Sequence, residues 1–422
     1  MMAGEQVSGV VGLSTRRDYR PDVVSLACAR VAAAREHAGL SVAGFAAALG
    51  QLLGWPVTER LVRAWESAVA PPGQVVIACE LVTARIERES KPGQRQLAPT
   101  AGDDAAADAA AMQAFRAADL RVGGGHLYAE VALYLRTHVA PRLVMPDPRG
   151  GGQVIFTSAA AISEMAGWMA HDAGHDQVAR QHFARSLDLV SMSGDRQVTA
   201  HILASAGHIA NHLNEPGEAV RTSRAGLTAL IPGPRDPDLE ARLLAIEARG
   251  LAALGEPGES ARCLARAEKA LEAARGEPRS EWVSGFDEGS LASDAARCMH
   301  QLGELREAQR QAERVIALRP ADRPRSRAFG MFIRANVLIA QGKPDEACAV
   351  ATEILSATGN LGSYIVVEQF RELRHALKPY RSSAVVADFL AHLNPALRER
   401  LWFRRSFPVD GRTAPHALNG FS

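Results

Sequence analysis

The chain has 422 residues, enough for two or three domains of ordinary size, and its 48 Lys and Arg against 47 Asp and Glu leave a net charge of +1. That balance excludes a global basic field of the kind that by itself argues for nucleic acid, and no apolar run approaches the roughly 20 residues a bilayer requires, so a soluble chain with no membrane partner is expected. Five cysteines, Cys28, Cys79, Cys263, Cys298 and Cys348, stand far apart without a CxxC pair, so neither a zinc site nor a disulfide framework is encoded, and a reducing cytoplasm is the expected compartment.

Residues 1–20 lack periodicity and read as a flexible arm, and Val23–Ala38 reads as an Ala-rich helix. Leu40–Pro72 reads as two helices. Ser41 caps the first, with Phe45, Ala46 and Leu49 inward; Pro56 breaks it; Thr58 caps the second, with Leu61, Val62 and Trp65 inward. Pro71 and Pro72 close this unit, a further helix is expected over Val75–Glu89, and residues 91–104 carry the Pro, Gly and polar mixture of a linker. The first domain therefore spans residues 21–90. It holds six arginines against seven carboxylates, a net of −1, with Arg16, Arg17, Arg20, Lys91 and Arg95 on its flanks to contact phosphate.

The run Arg35, Gly39-Leu40-Ser41, Phe45-Ala46, Leu49-Gly50, Val57-Thr58 and Val62 to Trp65-Glu66, followed by prolines, resembles the helix-turn-helix of XRE-type (phage-repressor-like) DNA-binding domains over residues 24–88. The resemblance implies that the second helix of the pair enters the major groove of double-stranded DNA, with Thr58, Glu59, Arg60, Arg63 and Ala64 facing base edges or phosphates. Glu66 lies on a helix that must pack closely against the first, so its carboxylate needs a partner. The family pattern makes that partner Arg35, in a structural ion pair.

From Ala105 onward, Ala- and Leu-rich helical patterns alternate with short Gly/Pro turns and nothing reads as a strand. Gly123-Gly124-Gly125 lacks the following Lys-Ser/Thr and preceding strand of a phosphate cradle and reads as a turn between helices; Val144–Gln153 reads as a loop. Five turns, beginning at Gly174, Asn214, Gly255, Gly303 and Gly342, look alike, and the small residues at 179, 219, 260, 308 and 347 that follow them are 40, 41, 48 and 39 apart. Helix pairs at a period somewhat longer than the roughly 34 residues of tetratricopeptide (TPR) repeats resemble a TPR array with lengthened helices, over about residues 155–358. Leu361–Leu393 reads as a terminal pair that caps the array, and residues 401–422 as a loose tail. The expected fold is all-α: an N-terminal helix-turn-helix bundle, then a TPR-like α-solenoid over residues 105–400.

The whole arrangement, including AFRAADLRVGGGHLY and MAGWMAHDAGHD, is similar to actinobacterial XRE/TPR regulators and, more distantly, to peptide-sensing helix-turn-helix/TPR receptors. That similarity implies an N-terminal domain that binds operator DNA as a homodimer and a solenoid that senses a signal.

In such an array the first helix of each pair lines the concave surface. Aligning the turns places Glu164, Trp168 and His171 there, then His201, His208, Asn211 and His212, then Arg242 and Arg249, Arg297 and His300, and Asn336. Three arginines along one groove favour an anionic ligand or a peptide carboxylate, and Asn211 and Asn336 suit a peptide backbone; a small molecule or protein is an alternative occupant, and an empty groove or one filled by dimer contacts or the chain's own tail is the plain reading. His171/His175 and His208/His212 have chelating i, i+4 spacing, but only the second pair shares a helix and no third ligand is fixed, so no metal is expected. Glu164, Asp172 and Asp176 read as ordinary solvated carboxylates. Neither GxSxG nor a Cys–His pairing occurs, so no cofactor, catalytic residue or enzymatic activity is expected. Two functions remain: a DNA-binding transcriptional regulator with a sensor domain, or a TPR adaptor whose degenerate helix-turn-helix does not bind DNA.

Overall fold

The structure is a computed structural model that describes residues 23–53, 56–67, 69, 71, 75, 78, 79, 82, 101–144, 152–231, 236–273, 280–321, 323–359 and 361–400. The expected arm, most of the expected helix at Val75–Glu89, most of the linker and the C-terminal tail lie outside these residues. The described residues are all-α, without a strand, and none of their helices is long and apolar enough to cross a membrane. The chain divides into two compact units, Met1–Thr83 and Ala84–Ser422.

In the first unit, α1 (Val23–His37), α2 (Val42–Leu53) and α3 (Glu59–Ser67) enclose a small core of Cys28, Val31, Phe45, Leu49, Val62 and Trp65. Local chemistry sets the helix ends. Gly39 takes φ +63 after α1. Ser41 Oγ accepts from the Gly44 N–H at 3.1 Å, and Thr58 Oγ1 from the Leu61 N–H at 3.3 Å, which caps α2 and α3. Leu61, expected inward, is 36% exposed: Val62 and Trp65 define the buried face of α3, and Leu61 sits one step of about 100° away from it. Arg35 Nε donates to Glu66 Oε1 at 2.5 Å, joining α1 to α3, with side chains 22% and 14% exposed.

The second unit opens with α4 (Ala101–Val122), so Ala101–Asp104, expected in the linker, is helical. Then come α5 (Tyr128–Tyr134), a π-helical segment Leu135–Val139 and α6 (Ala140–Val144). Five antiparallel pairs follow: α7 (Gly152–Asp172) with α8 (Asp176–Ser193), α9 (Arg196–His212) with α10 (Pro216–Leu230), α11 (Pro237–Ala253) with α12 (Pro257–Ala273), α13 (Glu288–Gln301) with α14 (Leu305–Leu318), and α15 (Pro324–Ala340) with α16 (Pro344–Ala357). The last two helices are α17 (Tyr364–Leu377) and α18 (Ala384–Glu399), which pack into the same core as α15 and α16.

One local device makes all five pairs. Gly174, Asn214, Gly255, Gly303 and Gly342 each take a left-handed φ between 59 and 79. The next residue's N–H then turns back to a carbonyl five positions earlier, as from His175 to Ala170 and from Lys343 to Leu338, both at 2.9 Å. This is the Schellman closure, which satisfies helix-end carbonyls and reverses the chain. The small residues that follow, Ala179, Ala219, Ser260, Ala308 and Ala347, are fully buried where the paired helices approach. Gly167 shows how close that approach is, because a Cβ there would stand 2.5 Å from the Phe183 ring.

Replacing Glu66 with Ala leaves the Arg35 guanidinium half-buried without its carboxylate. We expect a loss of about 1–3 kcal/mol from the first unit, read as an earlier thermal transition. A Glu66→Ala protein whose first unit melts with wild type would show that the pair contributes nothing.

Candidate functional site

The second unit holds a partly open cavity of about 420 Å³, walled by α7, α9, α11, α13, α15 and α17, with α4 and the segment before α13 at one side. A second cavity of about 260 Å³ adjoins it, and Arg249, Arg297 and Gln369 line both. Glu164, Trp168, His171, His201, His208, His212 and Arg242 line the larger; Asn211, His300 and Asn336 line the smaller. The twelve residues placed on one face by the repeat alignment thus surround two neighbouring cavities. Asn211 is committed within the fold, since its Nδ2 donates to the Ile246 carbonyl at 2.9 Å.

The array closes on itself at one end of the larger cavity. Arg325 of α15 donates through both terminal nitrogens to Asp119 of α4, at 2.7 and 2.6 Å, and to Asp172 Oδ2 of α7 at 2.7 Å. Asp172 also accepts from the Gly124 N–H at 2.7 Å and from Ser363 Oγ at 2.5 Å. The triple-glycine turn therefore serves this junction. Gly362 N–H donates to the Val122 carbonyl at 2.7 Å and its own carbonyl accepts from Gly125 N–H at 2.9 Å. Burial pushes the Asp119 carboxyl up despite the pull of Arg325, while Asp119 and Asp172 together hold the Arg325 guanidinium firmly protonated against its own burial.

A second network forms the floor. Ser205 Oγ donates to Glu164 Oε1 at 2.5 Å, Trp168 Nε1 donates to Ser205 Oγ at 3.0 Å, and Arg242 donates to His201 Nδ1 at 2.8 Å and to Ser284 Oγ at 3.1 Å. Because His201 Nδ1 accepts from a guanidinium, the ring is neutral, and its Nε2, 3.4 Å from Glu164, helps that carboxylate as a donor rather than as a charge. Burial alone would push Glu164 up; the His201, Ser205 and Arg242 side chains outweigh it and hold the carboxyl below its ordinary range. Glu164 and Asp172 were expected to be solvated, and both are buried, 2% and 6% exposed. Closure of the array puts their helix faces indoors, where each carboxylate is met by charge-assisted or hydroxyl partners. Asp176 is the partly exposed one, with His171 Nδ1 at 2.5 Å from its Oδ1.

The histidines group differently from their spacing in sequence. His171 of α7 faces His212 of α9 with ring centroids 4.8 Å apart, and His171, Asp176 and His212 present ligand atoms within 4.8 Å of one another. Each already has a carboxylate or imidazole partner, since His212 Nε2 lies 3.1 Å from Glu368 Oε2 of α17. His208 packs against Trp168, centroids 4.9 Å apart, and burial, then the nearby arginines Arg249, Arg242 and Arg297 with His171, drive it well below the ordinary imidazole range.

Arg116, Asp119, Asp294, Arg319, Arg325, Phe286 and Phe329 complete the larger cavity and were not foreseen. Asp294, Arg325 and Phe329 sit on first helices of pairs, where the same alignment could have found them. Arg116 and Asp119 belong to α4, which precedes the repeats and shares no period with them. In the first unit, Thr58, Glu59, Arg60 and Arg63 are exposed and Ala64 is half-buried; Arg63 pairs with Glu59 across one helical turn at 3.2 Å. No protein-family model matches the chain, and no curated protein matches it.

An Arg325→Ala variant strands the buried Asp172 and the half-buried Asp119. We expect a loss of about 3–5 kcal/mol in the second unit, visible in chemical denaturation. Equal stability would remove the closure from its structural role.

Acid should also loosen this unit through its buried histidines. Burial lowers His126 and His182 to about 4 and His201 and His208 as well, from 6.5. Below pH 6.5 the unfolded chain takes up protons at these rings that the folded chain refuses, so stability is fully present above that pH and declines through the window from 6.5 toward 4. The unfolding midpoint should fall between about pH 7.5 and about pH 5.5. A flat profile over that range would mean that the folded chain takes up protons at these rings as readily as the unfolded chain does.

Proposed function

We propose that the protein is a sequence-specific DNA-binding transcriptional regulator of the XRE-like helix-turn-helix type, homodimeric and cytoplasmic, with the helical-repeat unit as its ligand sensor. The observation that carries this reading is the mounting of α3. Its nine residues are capped by Thr58 and anchored through Val62 and Trp65, and Thr58, Glu59, Arg60 and Arg63 remain exposed. A short anchored helix with two exposed guanidinium groups suits a major groove, where arginine reads guanine edges or binds phosphate. The sensor half is supported by the partly open cavity of about 420 Å³, whose lining mixes charged and apolar side chains and whose size suits a small molecule. The reading assigns binding, and no turnover, to that cavity.

A second reading, a repeat adaptor whose helix-turn-helix does not bind DNA, is favoured by charge. Arg63 is partly neutralised by Glu59, and the region 21–90 holds seven carboxylates against six arginines. A salt titration of full-length protein on random duplex DNA separates the two, since any phosphate-contacting protein loses affinity as counterions compete. Salt-sensitive binding supports the regulator; no binding even at low salt supports the adaptor.

The Arg60→Ala/Arg63→Ala double variant should lose DNA affinity by about 1–3 kcal/mol for each base contact removed, and its salt dependence should flatten. Binding equal to wild type would remove these arginines from the interface.

A further inference from the structure

Six arginines line the larger cavity against four carboxylates, Asp119, Glu164, Asp172 and Asp294. Their hydrogen bonds sort them into two kinds. Arg325 is held by Asp119 and Asp172; Arg319 is bidentate to Asp287 at 2.6 Å on both nitrogens; Arg116 donates to the carbonyls of Glu281 and Trp282; Arg242 donates to His201, Ser205 and Ser284. These four are satisfied by the fold. Arg249 makes one long contact, 3.3 Å to Asp294 Oδ1, and Arg297 makes no hydrogen bond or ion pair with any described residue. Both stand on the wall that the two cavities share, and the Arg297 guanidinium lies over the Phe329 ring, 5.9 Å from its centroid. A desolvated guanidinium without a hydrogen-bonded carboxylate, beside a second guanidinium, is a costly arrangement that an incoming oxyanion relieves. Burial, then the charge of Arg249, lowers Arg297 to about 10, which still leaves it protonated at neutral pH.

We propose that the wall between the two cavities binds the carboxylate of a small organic acid, held between Arg249 and Arg297, with its apolar body in the larger cavity against Trp168, Phe286 and Phe329. Less than the full charge of the two guanidinium groups is left for a ligand, because Asp294 answers part of Arg249 and Glu372, in the lining of the smaller cavity, lies in the field of Arg297, so a monoanion fits. A dianionic phosphate would meet Asp294 and Glu164 in the same lining. The planar, two-oxygen head of a carboxylate also matches the fork of a guanidinium. This deepens the sensor half of the function proposed above and rests on that half alone. Binding is read without DNA, so its failure is distinguishable from a failure of DNA binding.

The experiment uses full-length protein and three probes: phenylacetate, its uncharged isostere phenylacetamide, and inorganic phosphate. Thermal shift and calorimetry should show phenylacetate binding and stabilising the protein, with little or no effect of phenylacetamide or phosphate. Arg297→Met should weaken phenylacetate on the order of thirtyfold or more, while the ligand-free variant melts at or above the wild-type temperature, because its removed charge had no partner. Arg249→Gln should weaken the same probe, and Arg262→Met, on the exposed surface of α12, should leave it unchanged. The proposal is overturned if phenylacetate does not bind, if phenylacetamide binds equally, if phosphate alone binds, if Arg297→Met retains wild-type affinity, or if ligand-free Arg297→Met is clearly destabilised.

Discussion

The second unit depends on a single guanidinium. Arg325 reaches from the last repeat pair to Asp119 and Asp172 at the start of the unit, and the backbone bonds between Gly362 and the glycine turn run beside it. Repeat arrays ordinarily contact only their neighbours and stay open. Here the last repeat pair meets the first helices of the unit, so the first helix of every pair faces a common interior. That closure deepens a groove into a cavity and changes the chemistry of the charged groups buried in it.

Inside a closed array, charge must be answered locally. The protein answers it in three ways: bidentate carboxylate pairs at Arg325 and Arg319, backbone carbonyls at Arg116, and a neutral imidazole with two hydroxyls at Arg242. The histidines belong to the same solution. His201 can accept from Arg242 only while it is uncharged, and His208, surrounded by guanidinium groups, stays neutral for the same reason. A cavity organised in this way is stable near neutrality and resists protonation, which ties its integrity to pH more tightly than an apolar core would.

Much of the fold was legible because the turns carry their own chemistry. A glycine or asparagine at each of five positions requires the left-handed backbone found there, and the small residues that follow mark where helices touch. The inward positions of first helices could be read for the same reason, once the turns were aligned. Closure could not. Nothing periodic links Asp119 to Arg325 across 206 positions, so Glu164 and Asp172 read as solvated when they are buried. Histidine spacing is silent in a related way: i, i+4 pairing points within one helix to His208 and His212, whereas His171 and His212 meet across adjacent helices with ring centroids 4.8 Å apart. Leu61 shows the local limit, where a nine-residue helix with two buried anchors leaves the facing of a third apolar residue open to error.

Treating Arg242, Arg249 and Arg297 as equivalent was the natural reading of a sequence in which all three fall on inward faces. Geometry separates them by what the fold has already satisfied. An arginine whose donors are fully engaged cannot gain by meeting a ligand unless it first gives up partners of similar strength, so proximity to a cavity says little about affinity. What remains for recognition is the group that folding desolvates without compensating, and Arg297 is in that position with Arg249 next to it. Such a group lowers the stability of the empty protein and raises its affinity for the matching anion by the same physical term. A fold that closes its cavity with some pairs and leaves one cation unanswered has thereby divided its arginines between holding the wall and reading what enters it.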